Sequence, residues 1–343
     1  MKLGLYRMVE RRRTGHSRSR RGYASRSIPS TVYTQAGQPS PIVRNKRERF
    51  VHMDYRKEFV VEPGTKVKLA AIDAGYKGKH VDEADAKAEI EKYKSKLSEM
   101  QDLLYSEKRH SVLIVLQALD AAGKDGTINH VMSAMNPQGT VVTGFKAPTA
   151  EDLEHDFLWR IHPHAPAKGT VAIFNRSYYE DVLVVRVHKL ASKEVWSERY
   201  ELIHDFEKLL RKQNNTHLIK FFLHISKEEQ LERFKQRLDD PARNWKISEN
   251  DYKERELWDD YTRAFEEVFA ETSTKHAPWY IIPSNHKWFR NLAVSQIVAA
   301  TMEDLGMKMP KPPVDLEDIR KEYHQAADEE SGKKKTKNDK NKK

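Results

Sequence analysis

Cysteine is absent from all 343 residues of this chain, which excludes disulfides, thiolate metal centres and a cysteine nucleophile, and fits a reducing, cytoplasmic compartment. Long apolar runs are absent as well. None approaches the roughly 20 residues that a membrane-spanning helix needs, so no membrane partner is expected. Acids are scarce at both ends: residues 1–52 carry 13 Lys and Arg against 2 acids, and residues 331–343 carry 7 against 1. The formal charge of +10 for the whole chain therefore leaves residues 53–330 at −7. The net positive charge is confined to the termini, the body being mildly acidic overall, and the body itself requires no nucleic acid. The 15 histidines show no metal-ligand spacing.

The first 52 residues are rich in Arg, Ser, Gly and Pro without a sustained apolar period, so a disordered basic arm is expected. Three readings of it stand together: a nucleic-acid-binding arm, an organellar transit peptide, or upstream sequence read through from a wrong start, with Met53 opening the folded composition. Residues 331–343 read as a disordered, solvated basic tail. Between these ends, 112–119, 140–145, 170–174, 217–225 and 279–283 are apolar runs of strand length, separated by helical patterns. The spacing predicts helices over 85–105, 126–135 and 287–305. Thr149 is expected to cap another helix running to His162, and Ser226 with Glu229 spells a capping box. The alternation predicts an α/β fold over 53–330: a parallel five-stranded sheet with helices on both faces. Ligands then bind at the carboxyl ends of the strands, after Leu119 and Phe174.

The loop after the first of these strands reads ALDAAGKDGT, 118–127. A loop entering a helix N-terminus presents unpaired N–H groups and the positive end of the helix dipole, so it binds phosphate. Ala122, Gly123, Asp125, Gly126 and Thr127 are the candidate phosphate-binding positions, with Gly123 and Gly126 permitting close approach and Lys124 adding a cation. The competing reading is an ordinary tight turn with a surface lysine. Two letters depart from the usual phosphate-loop pattern. Ala118 stands for a glycine, and Asp125 stands for the Ser or Thr whose hydroxyl touches magnesium. Asp120, inside the loop, offers a hard oxygen ligand to Mg²⁺ or orients the attacking phosphate; a turn-forming Asp is the alternative.

Asn175, Arg176 and Tyr179 follow the strand at 170–174 and are expected to face the same cleft, Arg176 as a fork for phosphate. Glu180 and Asp181 open the next helix, where the dipole alone favours acids. A third group, Arg233, Lys235, Arg237, Arg243 and Lys246, surrounds Pro241 between two helices at about 230–255. That is the layout of a mobile lid over an anion, or of a solvated helix-loop-helix. Residues 144–149 are a candidate rim for a base, with Phe145 equally a core residue.

Five stretches, DAAGKDGTINHVMSAMNPQG, FKAPTAEDLEHDFLWRIH, FNRSYYEDVLVVRVH, LDDPARNWKIS and HAPWYIIPSNHKWFRNLAV, together resemble the polyphosphate kinase 2 family over about residues 59–309. The form FNRSYYE, with Asn175, is similar to the family's third class, whose members phosphorylate nucleoside mono- and diphosphates; other classes commonly have Asp there. The resemblance implies a P-loop kinase-like fold with a helical lid. It implies reversible transfer of the terminal phosphate of inorganic polyphosphate to AMP or ADP, yielding ATP, with GMP and GDP as further candidates. It also implies Mg²⁺, with Mn²⁺ as a substitute, and a homodimer or homotetramer. Asp120, Lys124, Asn175 and Arg176 then take the catalytic roles, Asp120 the metal, and Arg233, Arg237, Arg243 and Lys246 the polyphosphate; because Asn175 cannot be a charged ligand, a second acid for the metal is expected elsewhere, at Glu180. The rival readings are an ATP-dependent P-loop kinase of small molecules, which shares the loop, and a nucleic-acid-binding protein that uses the arm.

Overall fold

The computed structural model describes residues 53–340; the expected arm at 1–52 and residues 341–343 lie outside the described residues. Asp54 caps α1 (Tyr55–Phe59) through the Arg56 N–H, and β1 (Val60–Val61) follows at once. On α2 (Glu83–Glu107), Ala86, Ile90, Tyr93, Leu97, Met100 and Leu104 recur every three or four residues and are buried, the stripe a helix presents to a core. Next come β2 (Ser111–Gln117), α3 (Lys124–Met132), β3 (Thr140–Gly144), α4 (Ala150–Leu153) and β4 (Val171–Asn175). Helices α5 (Glu180–Val187) and α6 (Lys193–Asn214) lead to β5 (Thr216–His224). Then α7 (Lys227–Asp239), α8 (Glu249–Glu256) and α9 (Trp258–Thr272) lead to β6 (Trp279–Pro283), followed by α10 (Lys287–Glu303) and α11 (Leu316–Lys340).

The strands form one sheet in the order β1-β6-β5-β2-β4-β3. Strands β2 to β6 run parallel and β1 lies antiparallel on β6. Parallel neighbours need helical crossovers, which cover both faces of the sheet. Strand β2 shows the result residue by residue. Val112, Ile114 and Leu116 join one core with apolar residues of α2, α3 and α10, while Leu113 and Val115 join another with residues of α5, α6 and α9. From β2 the order runs to β4 and β3 on one side and to β5 and β6 on the other, so a crevice opens beyond the carboxyl end of β2.

Four sequence expectations change. The sheet has a sixth strand, β1, because two residues are too short to show an alternating pattern. The helix after Thr149 has its reciprocal capping box with Asp152 but ends at Leu153. None of its residues is buried, and a short helix without packing has nothing to prolong it. The box at Ser226 is half formed: Ser226 Oγ accepts the Glu229 N–H, but the Glu229 carboxylate takes Arg233 Nε at 2.8 Å instead. The basic tail is helical as far as Lys340, as the end of α11.

Among the described residues one ion pair sits inside the core with both members fully buried. Lys220 on β5 and Glu207 on α6 form it, with Nζ and Oε2 2.9 Å apart. Removing one member leaves the other charged and unpaired. Lys220→Met is expected to cost about 3–5 kcal/mol, read as a lowered urea midpoint. Glu207→Leu combined with Lys220→Met should recover most of that loss, and equal midpoints for wild type and Lys220→Met would mean the pair is not formed.

Candidate active site

The loop between β2 and α3 rises at the crevice. Gly123, the N-cap of α3, has φ +105°, a conformation that only glycine adopts without strain. There is a steric demand too: a Cβ on Gly123 would stand 1.9 Å from Arg290 Nη1. Lys124, the first residue of α3, donates from Nζ to the Ala118 carbonyl at 3.1 Å. Burial, and after it the nearby Arg176, depress its pKa, against the pull of Asp120, Glu180 and Asp125.

A cavity of about 480 Å³ lies over this loop. Eight basic residues line it, Lys124, Arg176, Arg233, Arg237, Arg243, Lys246, Lys287 and Arg290, against two acids, Asp120 and Asp125. Gly123, Gly126 and Asn175 complete the expected residues in its wall. Ala122 and Thr127, expected among the phosphate binders, are fully buried instead. The Ala122 side chain belongs to the α2/α3/α10 core, and the Thr127 hydroxyl donates to the Gly123 carbonyl at 3.2 Å.

The lid cations divide. Arg237 donates to the Lys246 carbonyl at 2.9 Å and lies 3.6 Å from Asp251. Arg243 is half exposed and pairs with Asp240 at 2.9 Å, and the Lys246 ammonium lies 5.0 Å from the centre of the Trp245 ring. Arg233 is different: it is buried, and its three nitrogens bond Glu229, the Ala121 and Ala122 carbonyls, and the Ser284 and Asn285 carbonyls. A guanidinium has five N–H donors, and here all five have protein acceptors. Arg233 therefore fastens the phosphate loop to the loop after β6 rather than extending as a lid cation.

Two cations escaped the sequence reading. Lys287 and Arg290 start α10, and Arg290 Nη1 donates to the Ala122 carbonyl at 3.1 Å. The first turn of α10 carries no acid, although a helix N-terminus favours acids. That inversion is the signal that marks them. Burial, then Arg233, depress the pKa of both; Arg243 adds to the effect at Lys287.

A second cavity of about 160 Å³ adjoins the first. Asp120 and Arg176 are the two residues lining both. Arg176 donates to Asp120 at 3.3 Å and to Glu180 at 3.0 Å, so the pair forms a septum between the cavities. The smaller one is walled by Leu183, Val184, Trp258, Tyr261 and Phe265, with Glu180, His188 and Glu254 among its polar residues. Glu180 lines only this cavity. Asn175 Nδ2 donates to Asp125 at 3.0 Å. Tyr179, expected in the cleft, has no exposed surface and bonds Glu207 from within the core. Phe145 is buried against Phe174, ring centroids 4.9 Å apart, so it belongs to the core rather than to a base-binding rim.

Among the described residues no cluster of three His, Asp or Glu side chains could hold a metal by itself. Asp120 and Asp125 are hard oxygen donors in one wall. Two hard oxygen donors of this kind would suit a divalent cation such as Mg²⁺.

Among known proteins, the chain is similar to polyphosphate kinases. The sequence model described as polyphosphate kinase 2 (PPK2) matches residues 80–310. The chain is 45% identical over 267 residues to an AMP/ADP-polyphosphate phosphotransferase of Meiothermus ruber, covering 77% of this chain and 98% of that one. It is 44% identical to an ADP-polyphosphate phosphotransferase of Rhodopseudomonas palustris, covering 74% and 92%. The crystal structure of a polyphosphate kinase 2 from Arthrobacter aurescens TC1 superposes with TM-score 0.74 at 41% identity, covering 77% of this chain and 95% of that one.

Gly123→Ala is expected to destabilise the protein by about 1–3 kcal/mol, from left-handed strain and contact with Arg290. Adding Arg290→Ala should return the part due to contact. Thermal unfolding of both variants measures it, and a single variant as stable as wild type would show that the loop does not close on Arg290.

Proposed function

The chain belongs to the polyphosphate kinase 2 family, a phosphotransferase between inorganic polyphosphate and nucleotides, and from that premise we propose that it phosphorylates both AMP and ADP. The observation that carries the reading is the pair of unlike cavities sharing the Asp120–Arg176 septum. A polyphosphate chain is charged at every phosphate and carries no base, so it suits the larger cavity, with its eight cations. A nucleoside suits apolar and aromatic walls such as Leu183, Trp258, Tyr261 and Phe265. The transferring phosphate then sits at the septum.

Phosphoryl transfer needs alignment and charge neutralisation more than covalent help. Lys124 and the first N–H groups of α3 hold the donor end. Arg176 neutralises the acceptor phosphate, whose approach to another anion is otherwise repulsive. An ionised phosphate is already a nucleophile, so no side chain has to take its proton. Asp120 and Asp125 are the residues that would hold magnesium, or manganese in its place, which when bound would supply charge neutralisation. Glu180, the second metal ligand expected because Asn175 carries no charge, accepts the Arg176 guanidinium and lies in the smaller cavity. GMP and GDP are further acceptors in this proposal and would meet the same walls, and the reverse reaction would use the same contacts. Among the described residues no helix is long and apolar enough to cross a membrane. A cytoplasmic homodimer or homotetramer is proposed on the resemblance, and sedimentation of the purified protein tests the assembly.

Purified protein with polyphosphate and Mg²⁺ is expected to form ADP from AMP and ATP from ADP, followed by chromatography of the nucleotides. No product from either acceptor sinks the reading, product from ADP alone removes AMP, and phosphorylation only with ATP as donor favours the rival small-molecule kinase. Lys124→Ala should lower kcat by on the order of 100-fold or more with unchanged thermal unfolding. A near-normal rate would mean that the loop does not hold the donor.

Trp258→Ala should raise KM for AMP several-fold and leave KM for polyphosphate unchanged, as measured by initial rates. The opposite split would exchange the two cavities.

A further inference from the structure

Tyr178 and Tyr179 follow Arg176 closely in sequence, have no exposed surface and line neither cavity. Their hydroxyls both donate to Glu207 Oε1, at 2.8 and 2.9 Å. Lys220 balances the Glu207 charge: its ammonium reaches Glu207 Oε2 at 2.9 Å, the Tyr179 hydroxyl at 2.9 Å and the Thr272 carbonyl at 2.7 Å. Burial, and after it Glu207, hold both phenols well above their usual pKa, so both hydroxyls stay protonated as donors.

Such a pair is not needed for a stable core. Apolar residues of similar volume often do as well or better, because two charges must leave water to form it. What the pair does fix is direction. Arg176 has φ +65°, the left-handed region that residues with a Cβ avoid, and such a conformation persists only where its surroundings over-determine it. On one side the segment is tied to β2: the Arg176 N–H donates to the Leu116 carbonyl at 3.1 Å, and Gln117 donates to Ser177 Oγ at 3.2 Å. On the other side the two tyrosines tie it to α6 and β5 through Glu207 and Lys220. Between these anchors the guanidinium points at Asp120 and Glu180.

We propose that Glu207 and Lys220 are positioning residues for phosphoryl transfer, holding Arg176 through Tyr178 and Tyr179 in the geometry that meets the reacting phosphates. The proposal rests on the reading of Arg176 as the phosphate contact of the septum. A remote misplacement of a reacting contact by about 1 Å can cost on the order of 100-fold in rate.

The experiment compares Tyr178→Phe/Tyr179→Phe with wild type, and repeats the comparison in an Arg176→Ala background. The expected result is a kcat lowered at least tenfold, with KM for polyphosphate unchanged because the larger cavity keeps its other cations. The Phe substitutions should cost nothing further once Arg176 is gone, since the two changes act through one contact. Tyr179→Phe alone, which leaves Glu207 paired with both Lys220 and Tyr178, serves if the double variant does not fold, with the same expectations at smaller amplitude. An unchanged kcat, or an equal fractional loss in the Arg176→Ala background, overturns the proposal. If Arg176→Ala itself keeps the wild-type rate, the failure lies in the site assignment instead.

Discussion

Eight cations around one cavity repel one another, and much of the surrounding structure holds them there. Burial and mutual repulsion push the pKa of Lys124, Lys287, Arg233 and Arg290 downward. Only part of that charge is answered within the protein. Asp120 and Glu180 answer Arg176, Asp240 answers Arg243, Asp251 answers Arg237, and Glu229 answers Arg233. The residual excess is the driving force for a polyanion, whose binding relieves repulsion as well as adding attraction. A site built this way is pre-organised by the backbone, because the side chains alone would separate. Arg233 does the fastening, since its nitrogens span the phosphate loop, α7 and the loop after β6. The base of the lid and the floor of the site are therefore one unit, while the outer lid residues Arg243 and Lys246 remain exposed.

What the sequence disclosed, and what it withheld, follows from range. Strands β2, β4, β5 and β6 and the helices at 83–107, 124–132 and 287–303 show as local periodicity, because burial on two faces or on one stripe imprints on consecutive residues; the edge strand β3, mostly exposed, shows through its β-branched run instead. Strand β1 leaves no imprint at two residues. The loop, Asn175 and Arg176 were legible because glycine, lysine and arginine after a strand carry a local mechanism. The position of Tyr179 was not, because neighbouring residues in a strand-to-helix turn need not share a direction. Arg176 turns to the cleft and the two tyrosines turn inward, a difference set by partners at 207 and 220. Arg233 reads as one more lid cation from its neighbours in sequence, yet its acceptors come from 121, 122, 284 and 285. Long-range acceptors decide whether an arginine is a ligand-binding or a structural group, and no local pattern contains them.

The two unusual letters of the loop can now be placed. Ala118 replaces a glycine, but the left-handed residues without glycine's freedom include Ala121 (φ +60°) and not Ala118. A methyl at 118 therefore costs no backbone strain, and it packs at the edge of the core while the carbonyl receives Lys124. The left-handed residue lies three positions on, where the Ala121 carbonyl is held by Arg233 at 2.9 Å. A bond from a charged, buried donor is of the strength that offsets one left-handed alanine.

Asp125 completes the argument by linking two departures that look independent in the sequence. It stands in the first turn of α3, where the dipole favours a carboxylate, and it faces the larger cavity. Its partner is the amide of Asn175, 3.0 Å away. A carboxylate at 175 would bring two negative charges to that distance, and one would have to bind a proton or a metal ion to stay. An amide removes that condition and leaves the Asp125 carboxylate fixed by a neutral donor. The acid at 125 and the amide at 175 therefore make one electrostatic unit across α3 and β4, and either letter read alone understates the other.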